Sequence, residues 1–461
     1  MTSFNVFYSM LLLLYCGHLI LKKAFREEPL PWSLHVGLAF GLGIGILSQW
    51  MLILGMAAIP YNSLVISSLF IAIIIGLQFG QQEREKTSLR NSRDINQKSR
   101  AELPITAFLW IAFAYVAFNI FLVFWLSLNI PISEWDAFAT ISFKAKVIFY
   151  ERSITYLRYF PHASYPLLTP FSQAWVAFNE GRWDDQWIKV IFPCVYTAFL
   201  CIFYGFLKQY LNLRAALVGI VLIISSRLFT YYGYVAYRDL LTAYYECGAI
   251  ILLFLWLRQH NSRYLFMAGL FGGFLTFTKV EGQAYWGFML LMLAAMLAYD
   301  KGLALRKKVK SFAAFALPGF IIWLNFFIYK ISLGIHEIHD PRARIEIGWQ
   351  TLARLGPTAG KILIDLFLTD NWSFVWLLLI LSLAGIRRRR LRIETKCLFL
   401  ILGLHFLWII FLSTCTASYQ WFGGHLWPYG LPRLHLHFFP FAVALVVLLN
   451  RRFFGIDHSG P

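Results

Sequence analysis

Charge is what this chain has least of. Only 14% of its 461 residues are Asp, Glu, Lys or Arg, whereas a soluble domain carries about 25%. Acid is scarcer than base, with 23 Asp and Glu against 41 Lys and Arg. That composition excludes an ordinary soluble globular domain. The short alternating segments of a membrane β-barrel are also missing. The six cysteines (16, 194, 201, 247, 397 and 415) all fall in or beside apolar runs. None has the paired loop spacing of a disulfide framework or a zinc site, so they do not report a redox compartment.

What is present is hydrocarbon in long runs. Hydrophobic residues make up 59% of the chain, and a helical span needs about 20 of them in succession. The sequence predicts an all-α polytopic membrane protein of about 13 transmembrane helices. The runs lie near 4–20, 33–56, 62–80, 104–127, 187–207, 214–233, 239–257, 264–281, 283–299, 311–331, 372–386, 396–414 and 433–450. The short run at 372–386 can be extended by residues 357–371. The 44 Phe, 23 Tyr and 17 Trp suit lipid-facing and interfacial positions. Phe4–Ile20 lacks a basic flank and a small-residue cleavage site, so it reads as a retained span.

The excess positive charge is a topology signal. Alternate short loops, at 21–32, 81–103, 208–214, 258–263, 300–310, 387–396 and 451–461, hold 26 of the 41 basic residues. That side is cytoplasmic by the positive-inside rule. A charge distributed in this way argues against nucleic-acid binding. Arg387–Arg390 is a cytoplasmic stop signal in this reading. The N-terminus then lies outside and the C-terminus in the cytoplasm. Residues 1–80 form a three-span segment, 81–103 a polar cytoplasmic linker, and 104–461 the main membrane domain. Two sizeable loops, 128–186 and 332–361, face the exterior.

Ionisable residues gather in the first of these loops. Glu134-Trp135-Asp136, Lys144-Ala145-Lys146, the proline-punctuated stretch from Pro161 to Pro170, and Trp183-Asp184-Asp185 follow one another. Acidic groups at a bilayer surface are functional candidates. Residues 137–150 show helical periodicity, with Phe138, Ile141, Ala145, Ile148 and Phe149 on one face. This predicts an interfacial amphipathic helix from which Lys144 and Lys146 snorkel. Pro161, Pro166 and Pro170 predict an irregular segment after it. Glu134 and Asp136, two apart, point the same way if extended. Either carboxylate can serve as a general base, and the two lysines can meet a phosphate. The plainer reading is of loop charges at the headgroups.

Trp135-Asp136-Ala137 followed by Lys144-Ala145-Lys146 resembles the first external loop of bacterial GT-C membrane glycosyltransferases, of the family-39-like, polyprenyl-phosphate-sugar-dependent kind. The resemblance continues through Tyr165-Pro166-Leu167-Leu168, Trp183-Asp184-Asp185 and Tyr237-Arg238-Asp239-Leu240. Thr278-Lys279-Val280-Glu281-Gly282 and Pro432-Arg433-Leu434-His435-Leu436-His437 complete it. These blocks keep their order across roughly residues 104–450. The chain departs from the pattern in the basic Arg238 and in having a three-span segment ahead of the span that enters the motif loop.

The resemblance implies a GT-C-type bundle in the inner (cytoplasmic) membrane with an external active site. It implies a polyprenyl-phosphate sugar donor, inversion, and a glycolipid, glycan or protein acceptor. Asp136 matches the family's catalytic acidic position, with Glu134 beside it. Arg433 is the first candidate for the donor phosphate and Lys279 the second, followed by Lys146, Lys144, Arg238 and His435. Asp239, Glu281, Tyr165 and His162 complete the expected site.

Each residue also has a structural reading. Asp239 can pair with Arg238, Lys279 with Glu281, Arg433 can snorkel, Tyr165 can be an interfacial aromatic, and His162 a bonded loop histidine. A divalent cation is possible, with no ligand set assigned. His336-x-x-His339-Asp340 has ligand residue types but no second cluster to complete it. No P-loop or glycine-rich nucleotide fingerprint is present, which argues against a cytoplasmic nucleotide-sugar donor. A flippase of lipid-linked sugars and an O-antigen ligase or polymerase are the rivals. The first needs charges at mid-membrane, for which Arg227 and Glu246 come nearest. The second would place Arg342 and His339 in the catalytic role.

Overall fold

The apolar runs become helices because a backbone in hydrocarbon must satisfy its own N–H and C=O groups. The computed structural model describes residues 2–85, 107–335, 344–384 and 391–454, with one isolated bridge, Ile345 to Thr416, and no strand among them. The helices in order are α1 (Thr2–Ala24), α2 (Trp32–Met56), α3 (Ser63–Glu85), α4 (Ala107–Asn129), α5 (Ser142–Glu151), α6 (Leu168–Glu180) and α7 (Ile191–Tyr210). Next come α8 (Leu213–Ile224), α9 (Arg227–Tyr234), α10 (Asp239–Gln259), α11 (Ser262–Thr276), α12 (Glu281–Tyr299) and α13 (Leu305–Ser332). The series closes with α14 (Trp349–Leu368), α15 (Val375–Ala384), α16 (Ile393–Cys415), α17 (Tyr419–Phe422) and α18 (Trp427–Leu449).

Nine helices among the described residues are long and apolar enough to cross a membrane, or ten if a bent pair counts as one span. The protein is therefore a multi-pass helical membrane protein. The count of 13 is not reached, although all 13 apolar runs fall on helices. The run at 214–233 is broken into α8 and α9, bent by 74°. Ser226 explains the break: its Oγ accepts from the Phe229 N–H, capping α9, and donates to the Asn371 carbonyl. The runs at 62–80, 264–281 and 372–386 give shorter apolar stretches, in α3, α11 and α15. Residues 357–371 do not extend α15. They belong mainly to α14, a separate helix whose Asp365 is buried.

α2 packs against α1, α7, α6 and α13, and its Gly37 and Gly41 carbonyls accept from the Tyr244 and Tyr245 hydroxyls of α10. The N-terminal helices thus share one apolar core with the rest. Small residues permit the α1–α2 approach. A Cβ at Gly17 would overlap the Ala39 carbonyl, and one at Gly43 that of Leu13. Most of the 81–103 linker lies outside the described residues.

The segment after α4 differs from expectation in three ways. A π-helical turn, Ala137–Ile141, precedes α5 and shifts its register. Ala137, Ile141, Ala145 and Ile148 form the buried face, while Phe138 is exposed. Lys144 does not snorkel: it is buried, donates to the His162 carbonyl, and lies 5.7 Å from the Tyr165 ring centroid. Pro170 sits inside α6 rather than in an irregular stretch. It occupies the first turn, where a missing N–H costs no helical bond. α6 then buries most of its length against α1, α2, α3 and α5.

Candidate active site

Three breaks between helices and one helix start meet at one place. They are the segment after α4, the turn into α10, the turn between α11 and α12, and the first third of α18. Each supplies ionisable residues, because helix ends are where a membrane chain can leave polar groups.

Arg433, the seventh residue of α18, is the hub. Its Nη1 donates to Asp136 Oδ2 at 2.5 Å. Its Nη2 and Nε donate to Asp239 Oδ2 at 3.0 and 3.3 Å. The guanidinium also stacks on the Tyr237 ring at 4.7 Å. Asp239, with its side chain fully buried, accepts in addition from Lys279 Nζ at 2.8 Å and from His437 Nε2 at 3.2 Å. Lys279 reaches Glu281 at 3.3 Å. A buried carboxylate surrounded by four donor groups is ionised, since a proton on it would displace one of them.

These contacts select a tautomer for neutral His437. With Nε2 donating its proton to Asp239, Nδ1 accepts from the Tyr285 hydroxyl at 2.9 Å. Asp239 is thus braced from α18, α12 and the α11–α12 turn together.

Asp136 is different. Its side chain keeps 36% of its exposure, so it is the carboxylate a substrate can reach. Burial pushes its carboxyl up, but the charge and hydrogen bond of Arg433, aided by Arg238, outweigh burial and hold it below its ordinary value. Beside it, burial and the Asp136 charge push the Tyr237 hydroxyl up to about 12.

Arg238 does not pair with Asp239. Its guanidinium stacks on the Tyr165 ring at 4.8 Å. The residue is 4% exposed, and its Nε has no hydrogen-bond partner among the described residues. Burial pulls its pKa down, while Tyr165, Glu281 and Asp136 oppose that pull.

The structure thus brings together Asp136, Asp239, Arg433, Lys279, Glu281, Arg238, Tyr165, Lys144 and the His162 carbonyl. Other expected members fall elsewhere. Glu134 accepts from the Tyr231 hydroxyl at 3.4 Å and makes no contact with Arg433. It turns away because residues 135 and 136 already follow helical geometry. Lys146 is exposed and lies over the Trp183 ring at 5.9 Å. His435 is a correction: it belongs to another buried group, with its Nδ1 2.5 Å from Asp365 Oδ2. Residues two apart on a helix point to opposite sides, so placing His437 at the site removes His435 from it. Arg227 pairs with Asp370 near the surface. The stretch containing His336, His339, Asp340 and Arg342 lies outside the described residues, as does Arg387–Arg390.

No group of three or more His, Cys, Asp or Glu among the described residues is placed to hold a metal ion. The carboxylates of Asp239 and Glu281 are already engaged by Lys279 and Arg433. As arranged, they do not fit a divalent cation.

His437 stands in the quoted Pro-Arg-Leu-His-Leu-His block, and two further partners escape the sequence reading. Tyr237 immediately precedes Arg238, so it had a local signal. Tyr285 had none, being one of 23 tyrosines. No family model, curated protein or solved structure matches the chain.

Proposed function

We propose that this protein is an inverting glycosyltransferase taking a sugar from a polyprenyl-phosphate donor to an acceptor hydroxyl at the membrane surface. The observation that carries the reading is one arrangement. A reachable carboxylate, Asp136, is held by the Arg433 guanidinium, and nearby Arg238 has a buried Nε with no partner among the described residues. Asp136 takes the proton from the acceptor hydroxyl. The acceptor oxygen forms a bond to the anomeric carbon as the bond from that carbon to the phosphate oxygen breaks. The electron pair leaves with the lipid phosphate. Because this leaving group is a stable anion, positioned cations do more for it than an acid would.

Arg433 and Lys279 lead the expected phosphate ligands, but both are engaged by carboxylates. That gives Arg238 a larger share of the role. The distribution of basic residues among the loops supports a site on the external face of a cytoplasmic membrane. The partners are the lipid donor, a glycolipid, glycan or protein acceptor, and the bilayer; nucleic acid is not among them. The reading is tested by mass spectrometry of envelope glycolipids from cells with and without the protein. A shift of one sugar mass that disappears with Asp136→Asn supports it, and unchanged lipids refute it.

One observation favours a second reading, a flippase of lipid-linked sugars. Glu246 and His405 form a fully buried pair at 3.0 Å within α10 and α16. Intramembrane ionisable residues of this kind mark transport paths in many carriers. Donor translocation in liposomes without sugar transfer would select that reading.

A further inference from the structure

The three N–H groups that Arg433 gives to carboxylates are not equivalent. Nε and Nη2 hold Asp239, whose side chain is completely buried. The Tyr237 ring fixes the guanidinium plane. Nη1 alone holds Asp136, on the side where exposure remains. The guanidinium is therefore anchored along one edge and open along the other. Asp136 also feels the charge of Arg238, whose Nε has no partner among the described residues. The carboxylate of Asp136 thus occupies the open edge of Arg433, at Nη1, where an incoming anion would bind.

We propose that Asp136 is an internal stand-in for the donor's phosphate: the arriving anion takes Nη1 of Arg433 from Asp136 and thereby releases Asp136 to act as base. This rests on the glycosyltransferase reading and deepens it by ordering the two events. While Arg433 holds Asp136, the carboxylate is a weak base. Once a phosphate oxygen sits on Nη1, Asp136 loses its closest cation and gains an anionic neighbour. Both changes strengthen it as a proton acceptor. Arg433 does not leave Asp239, so the exchange needs a rotation of the Asp136 side chain and no movement of α18. Proton abstraction is then confined to the complex in which the leaving group is already bound.

The test is binding rather than turnover. Farnesyl phosphate is titrated against the full chain in zwitterionic nanodiscs, read by native mass spectrometry. Removing a true competitor tightens binding, so Asp136→Asn binds about tenfold more tightly than the unmodified protein. Glu134→Gln removes the same charge two residues away without touching Arg433, and changes binding less than about twofold. In an Arg433→Gln background, with folding checked by thermal unfolding, the Asp136→Asn gain disappears. Equal tightening by Asp136→Asn and Glu134→Gln reduces the effect to charge repulsion and overturns the proposal. Unchanged or weaker binding by Asp136→Asn also overturns it while leaving the transferase reading standing. No farnesyl phosphate binding by the unmodified protein refutes the transferase reading and this proposal with it.

Discussion

Arg433 and Asp239 are 194 residues apart in sequence and meet through two guanidinium nitrogens, Nε and Nη2. This pair ties α18 to the start of α10 and gives the site its fixed edge. Asp239 is not exposed at all, and Lys279 and His437 lean on the same carboxylate. Asp239→Asn removes the buried carboxylate that Arg433 and Lys279 share, leaving Arg433 with Asp136 and Lys279 with Glu281. Breaking one partner of a buried pair costs about 3–5 kcal/mol. The expected outcome is a large fall in thermal unfolding temperature in detergent, and an unchanged melt would contradict the bracing role of Asp239.

Asp136→Asn behaves in the opposite manner. The side chain is partly exposed and has one strong partner, so its loss has little effect on the melt. On the proposed transferase reading, loss of the base is expected to lower sugar transfer by about 10²–10⁴-fold. A folded variant with unaltered turnover would remove Asp136 from the chemistry.

The pH dependence follows in sign from the same contact. A depressed carboxyl is ionised at neutral pH and loses its charge only as pH falls through its folded value. In the free protein, Arg433 holds Asp136 below its ordinary value despite burial. The acid limb of kcat/KM therefore lies below an ordinary aspartate, near 3.9. If the phosphate displaces Asp136 from Arg433, the acid limb of kcat lies higher than that of kcat/KM, because kcat reports the bound complex. Coincident limbs, or the reverse order, would speak against displacement.

Much of this site was legible in the sequence, for a physical reason. In a chain with so few charges, each Asp, Lys or Arg at the end of an apolar run is conspicuous. Asp136, Asp239, Lys279, Glu281 and Arg433 could be singled out on that ground. The pairings could not, because helix ends distant in sequence come together only through packing. Arg238 and Asp239 are adjacent and looked like a pair, yet the backbone turns them apart and Arg238 goes to Tyr165. The π-turn at Ala137–Ile141 was equally hidden: a single register shift reassigns Phe138 and Lys144 without altering the hydrophobic count. The bend between α8 and α9 had a visible sign in Ser225-Ser226-Arg227, which interrupts an apolar run.

The two histidines of α18 separate site from scaffold. His437 contacts Asp239 and Tyr285, whereas His435 contacts Asp365, which is also bound by the Asn371 and Trp372 side chains. His437→Gln is expected to lower transfer more than it lowers stability. His435→Gln is expected to do the reverse, costing about 1–3 kcal/mol through the weakened hydrogen bonding of the buried Asp365 carboxylate. Parallel melts and transfer assays on the two variants distinguish the roles, and identical profiles would erase the distinction.

Arg238 carries the prediction with the least intuitive sign. A buried cation whose Nε has no acceptor weakens the ligand-free fold, because desolvation is not repaid in full by its stacking on Tyr165. Arg238→Met keeps most of the side-chain volume and removes the charge. It should raise the unfolding temperature of the ligand-free protein, since a buried charge replaced by an apolar side chain of similar size is often stabilising by about 1–4 kcal/mol. The same variant should weaken farnesyl phosphate binding, by about 1.5–3 kcal/mol if a charged hydrogen bond to the phosphate is lost. Stability and binding moving in opposite directions is the signature of a residue kept for a ligand at the expense of the fold. If Arg238→Met destabilises the protein and leaves binding intact, the guanidinium is a structural element and the anion is held by Arg433 and Lys279 instead.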